Sequence, residues 1–279
     1  MIVQRRAGEL LLIRQTDHAA LSGVLAERWG AGAFARPEPH ASMLLAAARH
    51  DDGWREWEEA PRVNPATRRP YNFTEMPVGE HFPFYLRGID GVVRDDPYAG
   101  LLVCLHLGGL YRKRYGLDPG LGLERFPPDV RPVVEDYLRH LDEKQKQLQE
   151  RLGRDGLAPA EMIEGPAVWT NYRLLQVYDL FSLYFCMAPL REYTLRHVPV
   201  SASQPDTEIK LHPAGGEALA VDPYPFDTAP LRVAVSARVV PDRDYDGDKD
   251  LRAALAGAPE TALRFELRGR SVNGASGVA

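Results

Sequence analysis

Apolar residues recur along the first two thirds of the chain mostly at three- and four-residue spacing, and along the last third at two-residue spacing. The pattern predicts helices followed by strands. The chain opens differently, with residues 2–4 and 10–13 reading as a hairpin around an Ala7-Gly8 turn. Thr16 then offers a helix N-cap, and over 17–29 the small or apolar residues Ala20, Leu21, Val24 and Leu25 form one face that ends at Gly30 and Gly32. A second helix is expected over 39–57, stopped by Pro61. Residues 62–76, broken by Asn64, Pro65, Pro70 and Asn72, read as a long loop of a kind that often carries function. A third helix is expected over 96–115, closing at Gly116, and a long amphipathic one over 129–152 with a solvated outer face. The fifth, 167–187 behind Pro166, is apolar almost all round, which predicts a place in the interior of a bundle.

Beyond Pro199 the segments EIKLHPA, EALAVDPYPF, PLRVAVSARVV and LRFELRGR alternate between apolar and polar residues, separated by Gly, Pro and Asp clusters. Short antiparallel strands are the expectation, with a small helix over 249–256 before the last. The predicted architecture is α+β: a hairpin and a mainly α-helical bundle over 1–200, then a small C-terminal antiparallel sheet over 201–270. The hairpin could add strands to that sheet. Residues 271–279 read as a frayed tail.

At 279 residues, the chain fits one large domain or a domain with an appendage. Its 34 basic and 39 acidic residues leave a net charge of −5, so no general excess of positive charge marks a nucleic-acid partner. The apolar run 10–13 is too short for a signal peptide, and 174–190 is interrupted by Gln176, Asp179 and Ser182, so no membrane partner is expected. Cys104 and Cys186 lie in apolar stretches and suit a reducing, cytoplasmic location.

Chemistry concentrates in the helical part. His18 falls in the first helix, the His50-Asp51 doublet in the second, His106 in the third and Asp179 in the fifth. His81, two residues before Pro83, sits at a helix start or in a loop. Imidazole nitrogen and carboxylate oxygen converging from several rigid elements are what a borderline divalent ion needs. An ionised Asp179 buried between Tyr178 and Leu180 would also need a cationic partner.

This order, a His, an adjacent His-Asp and a distant Asp on separate helices, resembles the HD-domain superfamily of metal-dependent phosphohydrolases. The strings QTDHAALSGVLAERW, HDDGWREWEEAP, DPYAGLLVCLHLGGLY and LLQVYDLFSLYFC, with a late DPYPF, look like an uncharacterised bacterial family of that layout over essentially the whole chain. The resemblance implies that His18, His50, Asp51 and Asp179 are the ligands of a one-metal site. His81 and His106 fall where two-metal members insert two more histidines, with Asp51 then bridging the ions. One or two divalent ions are implied, Mn, Fe, Zn or Mg. The implied activity is a phosphohydrolase or phosphodiesterase acting on a small phosphorylated or nucleotide substrate through a metal-activated water. A di-iron oxygenase of the same superfamily and a non-catalytic metal- or ligand-binding protein are the alternatives.

Around this set, Asp51 and Asp52 are the catalytic candidates, Asp52 either orienting a ligand histidine or lying in water on a helix face. Arg112, Lys113 and Arg114 could reach a substrate phosphate, or could simply answer the helix dipole. Trp54 is a candidate substrate contact that packing would equally explain. Tyr172, Gln176, Asp179, Ser182 and Cys186 form a polar stripe expected to face a cavity, with Gln176 a substrate contact. Asp242, Asp244, Asp246 and Gly247 begin like a calcium loop, but Ala253 stands where its bidentate Glu belongs, so an acidic solvated loop is expected. The last segment would supply structure, a homodimer surface or a pocket wall. The expected partner is a small molecule.

Overall fold

The computed structural model describes residues 1–120, 122–187 and 189–270; the expected tail, 271–279, lies outside the described residues. In chain order it contains β1 (Ile2–Arg6), β2 (Glu9–Ile13), α1 (Gln15–Arg28), α2 (His40–Arg49), α3 (Arg55–Glu59), β3 (Val63–Asn64), β4 (Arg69–Pro70), α4 (Val78–Asp95), α5 (Pro97–Gly109) and a single turn, α6 (Lys113–Gly116). Then follow α7 (Arg131–Arg154), α8 (Ala160–Ile163), α9 (Pro166–Cys186), β5 (Tyr193–Val198), β6 (Thr207–Pro213), β7 (Ala218–Asp222), β8 (Leu231–Pro241), α10 (Asp248–Ala256) and β9 (Glu260–Gly269). The expected loop over 62–76 carries the β3–β4 hairpin, and α4 fills the stretch where only a helix start or a loop at His81 was expected. Its Phe82, Phe84, Tyr85, Ile89 and Val92 are buried, and Pro83 stands near the helix start, where its missing N–H forfeits only an early hydrogen bond.

The expected bundle with a small C-terminal antiparallel sheet is overturned. Seven strands form one curled, mixed sheet in the order β1-β2-β8-β9-β7-β6-β5. The hairpin is an integral edge of it, because β2 pairs antiparallel with β8 (Leu10 opposite Val240), and β5, inside the stretch assigned to helices, is the other edge. The sheet is not purely antiparallel either, since β7 and β9 pair in parallel. Alternation within a segment reveals a strand but not its partner, and here the partners come from opposite ends of the chain.

Burial explains how the hairpin is captured. In β8, Leu231, Val233, Val235 and Ala237 are buried while Arg232, Ala234 and Ser236 are exposed, so one face of the sheet meets the helices. β2 lies between two cores. Leu11 and Ile13 join the main cluster with Leu21, Leu25 and Phe185, whereas Leu10 and Leu12 pack with Val240, Tyr245 and Leu251 beneath α10. A strand covered on both faces reads as a continuous apolar run, which is what residues 10–13 are. Behind the sheet, α9 packs on α1, α5 and β5, and α1 on α2 and β8. Among the described residues no helix is long and apolar enough to cross a membrane.

Candidate metal centre

The His-Asp doublet sits at a break rather than within a helix. Expected as one helix over 39–57, this stretch leaves α2 at Arg49, passes His50 and an Asp51 at φ −111°, ψ 19°, and continues as a short 3-10 turn, Asp52–Trp54. Neighbours on an unbroken helix would point about 100° apart. The break turns both side chains inward, and both are buried. Glycine makes it fit: a Cβ on Gly53 would lie 2.6 Å from the Phe84 carbonyl oxygen and one on Gly88 2.5 Å from the Gly53 nitrogen, so the turn and α4 touch backbone to backbone.

Around the doublet stand His18 of α1, His106 of α5 and Asp179 of α9, all buried. His18 Nε2 lies 3.0 Å from Asp51 Oδ2 and 3.9 Å from Asp179 Oδ1. His50 Nε2 lies 3.5 Å from Asp179 Oδ1 and 3.7 Å from Asp51 Oδ2. His106 Nε2 is 3.9 Å from Asp179 Oδ2, and its ring is 5.0 Å from that of His50. His18, His50 and Asp179 each offer an atom within 4.8 Å of the others, and this buried group could hold a metal ion.

The far nitrogens of His50 and His18 are tied off. His50 Nδ1 donates to the Ala47 carbonyl at 2.9 Å. His18 Nδ1 lies 2.7 Å from Ser182 Oγ, which donates to the Asp179 carbonyl at 2.9 Å and accepts from Ser22 Oγ at 2.8 Å. Ser182 can accept from His18 Nδ1–H, the tautomer that leaves Nε2 free to ligate; in the other tautomer Nε2–H donates to the Asp51 carboxylate. Among the described residues His50 Nε2, which faces Asp179, has no hydrogen-bond partner and is free to ligate. The donor set therefore fits a divalent ion.

Burial opposes charge here, and the partners decide. Against burial, Asp51 and Asp179 raise the His50 imidazole to about 9. Against burial too, His50 and His18 hold Asp51 below the usual carboxylate range, while His50, His106 and Arg114 do the same for Asp179. Burial lowers His106 to about 3, which keeps it neutral and able to ligate.

The other candidates scatter. His81, in the first turns of α4, bonds Tyr111 Oη through Nε2 at 2.7 Å, and burial lowers it to about 4. Asp52 orients no histidine: it accepts from Arg49 Nε at 2.6 Å and Arg55 at 3.1 Å. Trp54 is buried, with Nε1 donating to Tyr85 Oη at 3.0 Å. Arg112 grips Asp142 with two bonds of 2.7 and 2.6 Å, and Lys113 pairs with Glu124, so neither enters the site. Gln176 is buried and donates to Tyr172 Oη at 2.8 Å, its Oε1 unpartnered among the described residues. The acidic loop is taken up by arginines, Asp242 by Arg69 at 2.7 Å and Asp246 by Arg68 at 2.6 Å.

The basic residue that does reach the centre is Arg114, whose Nη2 lies 3.6 Å from Asp179 Oδ2. It comes from α6, where Lys113, Arg114 and Tyr115 have φ of 55°, 47° and 54°. Left-handed backbone costs about 1–2 kcal/mol per non-glycine residue, and neighbours must hold it in place. Here Tyr115 stacks edge-on against Trp169 and Tyr172, with centroids 5.2 and 5.3 Å away. Sequence reasoning had only the Arg-Lys-Arg run to go on, without a signal for which of the three turns inward. Ser22, one turn from His18 and bonded to Ser182 at 2.8 Å, carries no signal in the sequence and was missed.

These features define a class: a buried histidine–carboxylate centre, suited to a metal ion, set in helices against a mixed sheet. The chain itself belongs to the family described as Protein of unknown function (DUF3891), whose pattern matches residues 1–242. No curated protein and no solved structure matches it.

Proposed function

We propose that this protein is a metal-dependent phosphohydrolase or phosphodiesterase acting on a small phosphorylated substrate. The observation that carries the reading is the convergence of His18, His50 and Asp179, each offering a buried ligand atom within 4.8 Å of the others, with Asp51 Oδ2 3.0 Å from His18 Nε2 and His106 Nε2 3.9 Å from Asp179. The order of these residues resembles the HD-type metal site at the level of the ligand set. His18, His50, Asp51 and Asp179 would hold the ion, with His106 completing the set. Imidazole and carboxylate together favour Mn, Fe or Zn over Mg. A divalent ion bound there supplies Lewis acidity, acidifying a water and drawing charge from a phosphoryl oxygen. Asp51, kept ionised by its histidine neighbours, would serve as a charged ligand of the ion. Ser182 and Ala47 hold the rings of His18 and His50 in the orientation this requires.

With His81 Nε2 engaged by Tyr111, the sixth ligand of a di-iron arrangement is committed elsewhere, which ranks hydrolysis above oxidation. Two buried free cysteines favour a reducing cytoplasm. The test is elemental analysis of protein purified without chelators, with phosphate release from chromogenic phosphomonoesters and diesters. Bound Mn, Fe or Zn with chelator-sensitive phosphate release is expected. Protein free of metal and inert after metal addition would overturn the reading in favour of a non-catalytic binding protein.

A further inference from the structure

A cavity of about 730 Å³ lies between α9 on one side and strands β5 and β6 on the other; Gln176 and Arg114 line it, and Arg114, 3.6 Å from Asp179, connects it to the centre. Its size suits a small organic molecule. On a chain whose net charge is −5, its lining carries Arg114, Arg173, Arg196 and Lys210 against Asp118 and Glu192. Arg173 is paired with Asp206, and Arg196 lies 3.8 Å from Glu208. Lys210, exposed on β6, makes no ion pair among the described residues. Arg114, buried, and Lys210, exposed on β6, are the lining Arg and Lys residues with no carboxylate partner outside the centre among the described residues; His197 and His212 also line the cavity, His212 lying 3.3 Å from Glu192.

Arg114 is unlike an ordinary surface cation. It is 6% exposed, and among the described residues its Nε and Nη1 have no partner although its Nη2 faces Asp179. Unused donors on a buried guanidinium are costly unless an acceptor arrives, and a strained left-handed turn held by Tyr115 delivers them between the cavity and the centre. A planar fork of free N–H groups matches the oxygens of a phosphoryl group.

We propose that this cavity is the substrate pocket of the centre, that Arg114 binds the phosphoryl oxygens at its inner end, and that the ligand is a small phosphate ester with a second anionic group, which Lys210 receives. The inference rests on the hydrolase reading for the group attacked, but its test reads binding alone.

Full-length protein as purified is titrated calorimetrically with propylphosphonate and propane-1,3-diphosphonate, whose C–P bonds resist hydrolysis. Wild type is expected to bind the diphosphonate roughly tenfold more tightly, the scale of one hydrogen bond to a charged group. Lys210→Gln, an exposed substitution with little risk to folding, should erase that advantage and leave monophosphonate binding unchanged. Arg114→Gln should weaken both probes, with Arg114→Lys restoring part of the affinity; melting temperature and metal content verify the fold. Equal wild-type affinity for the two probes, or an advantage that survives Lys210→Gln, overturns the proposal. A folded Arg114→Gln that binds both normally also overturns it and leaves Arg114 a counter-ion of Asp179. Arg114-dependent binding by a protein that holds no metal and releases no phosphate would support the pocket while sinking the hydrolase reading.

Discussion

Tyr111 Oη lies 2.7 Å from His81 Nε2, inside a nest formed with Trp54, Phe82 and Tyr85, and this contact separates His81 from the histidines that converge on Asp179. The group that could hold an ion, His18, His50 and Asp179, is complete without His81. His81→Ala is therefore expected to keep the metal content of the wild type, as read by elemental analysis. A drop would show that the ring swings from Tyr111 to ligate.

His50→Ala and Asp51→Ala should each strip the protein of metal. Both side chains are buried and face Asp179 or His18, and each deletion removes a donor that nothing nearby replaces. Unchanged metal in both variants would sink the site.

Ser182→Ala removes the acceptor that holds His18 Nδ1–H and leaves every ligand in place. Loss of such an orienting partner typically costs about 10–100-fold in metal affinity. Competition with a chelator of known affinity measures this, and an unaltered affinity would mean that packing alone sets the His18 ring.

Gly109→Ala puts a Cβ 2.1 Å from Tyr172 Oη and 3.0 Å from its Cζ. Tyr172 also supports Tyr115 and bonds Gln176, so it has little freedom to retreat. Overpacking of this kind costs about 1–3 kcal/mol. Chemical denaturation should register it as a lower midpoint; wild-type stability would show that the α5–α9 contact is slack.

A chain ended near residue 200 loses β6 to β9, leaving β2 without β8 and the helices without the face that covers Phe185. No cooperative melting transition is expected from it. A sharp transition in calorimetry would show the helices to be an independent unit.

Local pattern was enough to mark where most elements lie. The 3.6-residue period predicts α1, α7 and α9 closely, and alternation predicts β6, β8 and β9, because each element's burial is written in its own residues. The ligand types were legible for a related reason: His18, His106 and Asp179 stand in apolar helices, where a polar group needs a partner. Only the tertiary structure decided the rest. Strand order joins residues 10 and 240, a pairing that depends on two cores closing over β2 and that no local window contains. The break that aims His50 and Asp51 together depends on Gly53 meeting α4. The choice of Arg114 over Arg112 and Lys113 depends on a left-handed turn that is unfavourable by itself and held by Tyr115 against Tyr172 and Trp169. Side-chain aim at such places is set by what packs against the backbone from elsewhere in the chain, so it emerges only when the whole molecule is assembled.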